Sequence, residues 1–402
     1  SEMCIRDRDI IDAKGRTRDP LCKPDWSPDL FLSQMYLGHL VGFKKSLFDE
    51  VGGFRSEFNG SQDYDLLLRM TEKTDKIGHV AEILYHWRDL PSSTAANPES
   101  KPYAQIAGLN AIQEHLNRVY GSGKAIAHET DNLFVYDVRY PMEEEPMVSI
   151  IIPIKDHVEL LKAAIDSIFE KTTYKHYEII VLNNNSEKEE TFAYLRELVE
   201  CHENVRVEDA LFEFNWSKLN NYGMQFAKGD VFVCLNNDVK VIEPEWLTRL
   251  VEKAIRSDVG VVGGLLLYED NTIQHAGVVI GMGGWADHVF KGMTPQHYGS
   301  PFISPMVTRN VSAVTGACLA VSRKTIEKIG GFNEQFIVCG SDIELALRAN
   351  KHGLVNIYDP NVKLYHFESK SRDASKIPQI DFDLSDNCLL YTSPSPRDRT
   401  RS

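Results

Sequence analysis

From residue 147 onward, short β-branched apolar runs alternate with stretches whose apolar residues recur every three to four positions. Residues 148–152 form the first run, and Val158, Leu161, Ile165 and Ile168 behind it share one helical face. A second run at 177–182 precedes a helical pattern near 191–199, a short run at 205–207 and another helical pattern at 217–227. The run Val-Phe-Val-Cys-Leu at 231–235 then stops abruptly on Asn236-Asn237-Asp238. Strands alternating with helices predict βαβ units and a mostly parallel sheet. Pro244 suits the first position of a further helix, and 259–262 reads as another strand. The glycine- and aromatic-rich stretch 263–310 reads as long loops and hairpins.

Ahead of residue 147 the rhythm differs. Pro- and Asp-rich loops lead to a helix-like 44–51 closed by Gly52-Gly53. A helical 66–71 and an amphipathic 103–119 follow, and the acidic 143–146 reads as a linker. The layout of 44–54 returns at 322–332, and Phe58 returns at Phe336. Asp63-Tyr-Asp-Leu-Leu-Leu-Arg69 returns as Asp342-Ile-Glu-Leu-Ala-Leu-Arg348, and Leu84-Tyr-His86 as Leu364-Tyr-His366. The offset drifts only from 278 at Phe54 to 280 at His86, which indicates an internal duplication with small insertions. On this reading 9–140 is the back half of one unit and 147–373 nearly all of a second. Residues 1–8 and 389–402 show no periodicity, resemble translated sequencing-adapter scars and are set apart from the fold, with both ends expected to be truncations. Whether Asp9 is a remnant of a lost motif stays open at this point.

Charge narrows the partners. Asp and Glu number 58 against 44 Lys and Arg, for a net charge of -14, and no basic cluster stands out. A nucleic-acid partner is disfavoured, because phosphate neutralisation needs a basic face. Seven cysteines lie scattered without a Cys-x-x-Cys pair, so neither a disulfide framework nor a zinc site is expected. No apolar stretch reaches the length of a membrane span. The expected location is the cytoplasm, with peripheral association at the inner membrane face as an option.

Three polar clusters follow the predicted strands: Pro153-Ile-Lys-Asp156, Asn183-Asn-Asn-Ser186 and Asn236-Asn237-Asp238. Ligands of open α/β sheets bind beyond the carboxyl ends of strands, so the clusters outline one crevice. Neither a dinucleotide nor a P-loop glycine motif is present, and phosphates there need another counter-charge. A divalent metal on Asp238, Mn²⁺ or Mg²⁺, suits hard oxygen ligands and shares its shell with substrate phosphates.

The motifs Val148-Ser-Ile-Ile-Ile-Pro153, Glu178-Ile-Ile-Val-Leu-Asn-Asn-Asn-Ser186, Asn215-Trp-Ser-Lys-Leu-Asn-Asn-Tyr-Gly223, Ala227-Lys-Gly-Asp230, Leu235-Asn-Asn-Asp238, Val314-Thr-Gly-Ala-Cys318 and Gly330-Gly-Phe332 resemble glycosyltransferase family 2. The branch is similar to the bacterial tandem-domain, rhamnosyltransferase-like enzymes of cell-surface polysaccharide synthesis. The resemblance implies a GT-A (Rossmann-like) nucleotide-binding fold, preceded by the C-terminal half of a second such domain. It also implies metal-dependent inverting transfer from a nucleotide-sugar to a hydroxyl of a glycan or lipid-linked glycan. Asp238 would be a metal ligand in the position of the family's D-x-D motif, with Asn236 and Asn237 beside the donor, and His366 would complete the metal shell. Pro153, Asp156 and Asn183 would line the nucleotide site, with an amide at Asn183 where the family usually has Asp. Asn220 and Asn221 would touch the nucleotide or its phosphates, Lys370 and Arg372 would face phosphate, and Asp342 would be the catalytic base.

Rival readings are a nucleotidyltransferase acting on sugar phosphates and a non-catalytic glycan- or nucleotide-binding module. The first normally wants a glycine-rich basic turn after strand one, which Pro153-Ile-Lys-Asp-His157 lacks. His275, His288 and Lys291 look exposed and take no role, and Trp216 and Trp246 read as packing residues, with Trp285 set in a glycine-rich loop.

Overall fold

The computed structural model describes residues 1–88, 102–282, 286–298, 304–367 and 377–392, the last with side chains through 385. Two compact units emerge, one of residues 1–142 with 296–309, the other of 143–295 with 310–402. The chain therefore crosses between units more than once, a departure from the single linker at 143–146. The expected location of Lys370, Arg372 and Trp285 falls outside the described residues.

The larger unit is a mixed α/β layer. Its sheet runs in the order Val239–Val241, Val355–His366, Val259–Leu267, Cys318–Ser322, Val231–Leu235, Val148–Ile154, Tyr177–Asn183, Val205–Asp209. Of these eight strands Cys318–Ser322 and Val239–Val241 run against the other six, so the sheet is mostly parallel. Strands covered on both faces need continuous apolar sequence, and Ile150, Ile151, Val233 and Leu235 are all buried. Each such side chain contributes roughly 1.5–3 kcal/mol relative to exposure. The helices Val158–Lys171, Glu189–Cys201 and Trp216–Phe226 connect the parallel strands. Trp216 and Trp246 are buried, as packing residues should be.

Register is held by a polar staple inside this apolar sheet. Buried Ser149 donates through Oγ to Glu178 Oε1 at 2.7 Å, and the same oxygen accepts from the Lys228 amide at 2.7 Å. At Gly229 an added Cβ would lie 2.6 Å from the Ser149 nitrogen, so the Ala227-Lys-Gly-Asp230 motif serves a close backbone approach. A motif with the look of chemistry is here a device of strand packing.

In the smaller unit Met3–Ile11 pairs parallel with Ile77–Arg88 and antiparallel with Val41–Phe43 and Thr17–Leu21. Residues 1–8 were expected to stand outside the fold; instead Met3 (1% exposed) and Ile5 (0%) sit in the core. The reason is alternation: Met3, Ile5 and Asp7 share the buried face while Cys4 and Arg6 lie between them. The same layout recurs in the larger unit, where Val259–Leu267 pairs parallel with Val355–His366 and antiparallel with Cys318–Ser322. The parallel registers correspond, Met3 opposite Ile77 and Val259 opposite Val355. Asp9 therefore occupies the counterpart of the strand Val259–Leu267.

Both units also use one arginine in the same way. Arg69 bonds the carbonyls of Val51 and Gly53 and the Asp65 carboxylate. Arg348 bonds the carbonyls of Ile329 and Gly331 and the Glu344 carboxylate. Each thus ties a helix to the glycine turn before it.

Candidate active site

The three polar clusters lie along one edge, because Val231–Leu235, Val148–Ile154 and Tyr177–Asn183 are adjacent and parallel. The clusters differ sharply in what their side chains are free to do.

Asp156, at φ 52°, turns its carboxylate onto the amides of Glu187 (3.1 Å) and Lys188 (3.0 Å) and the Thr191 hydroxyl (3.2 Å). Burial raises its pKa, but the Lys188 and Glu187 amides outweigh it and the net shift is downward. The residue caps the start of the helix Glu189–Cys201. Buried Asn183 donates to Asp209 Oδ1 at 2.8 Å, and its own Oδ1 accepts from the Ser186 amide at 3.3 Å. Pro153 stands beside Leu182 in the ladder, half-buried. These residues shape the rim, with the Asp156 carboxylate and the Asn183 amide both engaged internally.

Asn221 donates to the Phe332 carbonyl and to Glu334 Oε1, both at 2.9 Å, and accepts from the Phe332 amide at 2.8 Å. It fastens the Gly330-Gly-Phe332 turn, so its side chain is spent on structure. Asn220 is fully buried and donates to the Trp216 carbonyl at 2.8 Å, and its Oδ1 has no partner among the described residues. Sequence alone could not separate these two neighbours from a nucleotide-binding pair, since both uses call for an amide.

Asp238 is 4% exposed. His366 Nε2 lies 3.2 Å from its Oδ1, yet that oxygen has no hydrogen-bond partner among the described residues. His366 Nδ1 is 2.8 Å from Gln274 Oε1, an acceptor that favours the Nδ1–H tautomer, in which Nε2 carries the lone pair. Asn236 Nδ2 reaches that nitrogen at 3.3 Å. A lone pair facing an unsatisfied carboxylate oxygen suits a shared cation, and a tautomer fixed by a second residue is the usual dress of a metal-binding histidine. Among the described residues no group of three His, Cys, Asp or Glu could hold a metal by itself. Two protein ligands with substrate oxygens completing the shell are what Mg²⁺ or Mn²⁺ ordinarily takes. Asn237 is half-buried beside Asp238.

Asp342 lies in the first turn of the helix Ser341–Lys351. Its Oδ2 accepts from the Gly316 amide at 2.8 Å and its Oδ1 from the Ile343 amide at 2.9 Å. Burial of the carboxyl group raises its pKa against the opposing pull of those two amides and of nearby His288. The turn 315–318 links the two acidic residues: the Gly316 amide holds Asp342, and the Ala317 carbonyl accepts from the Asn236 amide at 3.0 Å. At Gly316 an added Cβ would lie 2.6 Å from the Trp216 ring, so only glycine fits there.

Two residues escaped the sequence reading. Gln274 falls in the stretch 263–310 that the sequence reads as loops and hairpins, and its contact with His366 lies 92 positions away. His275 looked exposed and is fully buried, with its Nδ1 2.9 Å from Nδ1 of His288. The apolar neighbours Ile273 and Ala276 were the signal for a buried strand.

Residues 149–330 match the family model of Glycosyl transferase family 2. The chain carries a glycosyltransferase family 2 domain. Its mostly parallel α/β sheet agrees with the mostly parallel central sheet expected from the sequence. The chain is 41% identical over 385 residues to the O-antigen biosynthesis protein RfbC of Myxococcus xanthus, covering 95% of this chain and 30% of that protein. It is also 41% identical over 383 residues to the protein y4gI of Sinorhizobium fredii, covering 94% of this chain and 42% of that one. The chain thus spans less than half the length of either relative. A crystal structure of GalNAc-T7 with UDP, GalNAc and Mn²⁺ matches with a TM-score of 0.49 and 17% identity, over 58% of this chain and 45% of that one. Among the described residues no helix is long and apolar enough to cross a membrane.

Proposed function

We propose that this chain is a metal-dependent inverting glycosyltransferase that moves a sugar from a nucleotide-sugar to a hydroxyl of a cell-surface glycan. One observation carries the reading: the 315–318 turn bonds Asp342, a carboxylate of raised pKa, through the Gly316 amide, and bonds Asn236 through the Ala317 carbonyl, two residues before Asp238 with its buried, unpartnered oxygen.

Inverting transfer is an in-line displacement at the sugar C1. It needs a base toward the acceptor hydroxyl and a counter-charge toward the departing diphosphate. Asp342 is the base: its raised pKa favours proton uptake, while the Gly316 amide fixes the direction in which the carboxylate faces. Asp238 and His366 would hold Mn²⁺ or Mg²⁺, which when bound neutralises the leaving diphosphate. Gln274, at 2.8 Å from Nδ1, would orient the ring so that Nε2 faces the cation. Asn236, Asn237 and Pro153 border the donor, and Asp156 and Asn183 keep the rim in shape. Lys370 and Arg372 are assigned to the donor phosphates on sequence grounds. The name of the Myxococcus relative supports O-antigen-type glycan as the acceptor class, free or lipid-linked.

The test is a screen of nucleotide-sugars with Mn²⁺ or Mg²⁺ for release of nucleotide diphosphate, in wild type, Asp238→Asn and Asp342→Asn. Release by wild type alone is expected. No release with any donor would overturn the reading, and pyrophosphate release from a nucleoside triphosphate plus a sugar phosphate would replace it with nucleotidyl transfer.

A further inference from the structure

The stretch leading into Asp342 is held by a residue from a later helix. Asp381 lies in the first turn of Gln379–Thr392 and is fully buried. Its Oδ1 accepts from the Ile337 amide at 2.8 Å, and its Oδ2 accepts from the amides of Val338 at 2.8 Å and Cys339 at 3.0 Å. Three successive amides converging on one carboxylate form an anion-satisfied nest, and bonds to an ionised acceptor are the strong class. Without the carboxylate, three N–H groups in a packed segment would lose their partner, each at a cost of desolvation.

The other side of the same stretch is also fixed. The Trp216 amide donates to the Ile337 carbonyl at 2.8 Å, Ser217 Oγ to the Phe336 carbonyl at 2.8 Å, and Asn215 Nδ2 to the Glu334 carbonyl at 2.7 Å. Next comes Gly340 at φ +92°, where an added Cβ would meet Ser385 Oγ at 2.7 Å and the Phe336 ring at 2.9 Å. Asp342 follows two residues later, before the stretch has any freedom to drift. Bonds from Asp381 act on residues 337–339, whereas those that hold Asp342 itself come from Gly316 and Ile343. The first set decides where the helix Ser341–Lys351 begins, and so where its first-turn carboxylate stands.

We infer that Asp381 is a positioning residue for the Asp342 base, setting the entry of its helix through the 337–339 amides. The inference rests on Asp342 acting as the base. It separates from the metal side of the site, because Asp238 stands just ahead of the strand Val239–Val241 and His366 ends the strand Val355–His366 paired with it.

The experiment uses the full chain and compares wild type with Asp381→Asn. Asparagine keeps the size but loses the charge and offers one acceptor oxygen to three amides. In Asp381→Asn, kcat should fall roughly ten- to a hundred-fold, since misplacement of a catalytic group by about 1 Å costs on that order. Donor binding with Mn²⁺, measured by calorimetry, should stay within about two-fold of wild type, as expected when only transition-state interactions are lost. Wild-type kcat with intact donor binding would overturn the inference. If Asp381→Asn fails to bind donor, Asp381→Glu decides in its place: it keeps the charge and displaces the oxygens by one methylene. Donor binding with several-fold slower turnover supports the inference; wild-type turnover, or loss of donor binding in this variant too, overturns it. Absence of turnover in wild type would instead count against the proposed function, so the two failures are distinct.

Discussion

His366 Nε2 lies 3.2 Å from a buried Asp238 oxygen, while the opposite ring nitrogen, Nδ1, lies 2.8 Å from Gln274 Oε1. The pair closes the ladder between Val239–Val241 and Val355–His366, where Val239 stands opposite His366 and the Phe367 amide donates to the Asp238 carbonyl at 2.8 Å. Backbone pairing thus brings the two side chains together across 128 residues of sequence.

This relationship predicts a graded loss of metal. Gln274→Leu should weaken Mn²⁺ affinity about 10- to 100-fold, the usual effect of removing the residue that orients a metal-binding histidine. Asp238→Asn should weaken it further. Manganese titration by calorimetry or electron paramagnetic resonance reads both, and chelation should abolish turnover reversibly. Equal affinity in Gln274→Leu and wild type would deny it an orienting role.

Asp342→Asn should lower kcat about 10²- to 10⁴-fold, the range for loss of a general base, while leaving donor binding in place. The acid limb of kcat/KM in wild type should lie above the ordinary carboxylate range, since burial raises the Asp342 pKa. A limb at the ordinary carboxylate value would contradict that.

The same shift has a consequence for stability. A carboxyl group whose pKa is higher folded than unfolded contributes stability below its unfolded pKa, and loses it as pH rises through the folded value. Asp342→Asn should therefore melt at a higher temperature than wild type at neutral pH, with the difference vanishing in acid. Thermal melts across pH check the sign.

Asn221→Ala should act on stability and spare the donor. Removing the amide leaves the Phe332 amide and carbonyl without their partner, at about 1–3 kcal/mol. Denaturant melts should register that loss while donor affinity stays near wild type. A large loss of donor affinity with unchanged stability would return Asn221 to the nucleotide site.

A charge repeated in both units was legible in sequence, and its two copies behave alike only in part. Asp63 and Asp342 each accept from the next amide, at 2.9 Å in both cases. Asp342 alone among the two has the Gly316 bond recorded, and that bond depends on a turn 26 residues earlier. Asp156 and Asn221 each sit at a motif position, and each engages its polar atoms in local structure.

The sequence by itself determined the alternation of strands and helices, the edge on which the polar clusters gather, and the candidates Asp238, His366 and Asp342. Those follow from periodicity and from where apolar runs stop, which are local properties of the chain. Tertiary structure decided which polar groups remain free for chemistry. Whether Asn183, Asp156 or Asn221 faces a ligand depends on hydrogen-bond partners tens of residues away, and the same holds for the proton on His366 and the pKa of Asp342. Side-chain type constrains what a residue can bond; only packing says whether that capacity is already taken. The stretch 231–242 carried the metal-site expectation from its sequence, and the strand ending in His366 supplied the neighbour that gives Asp238 its unsatisfied oxygen a purpose.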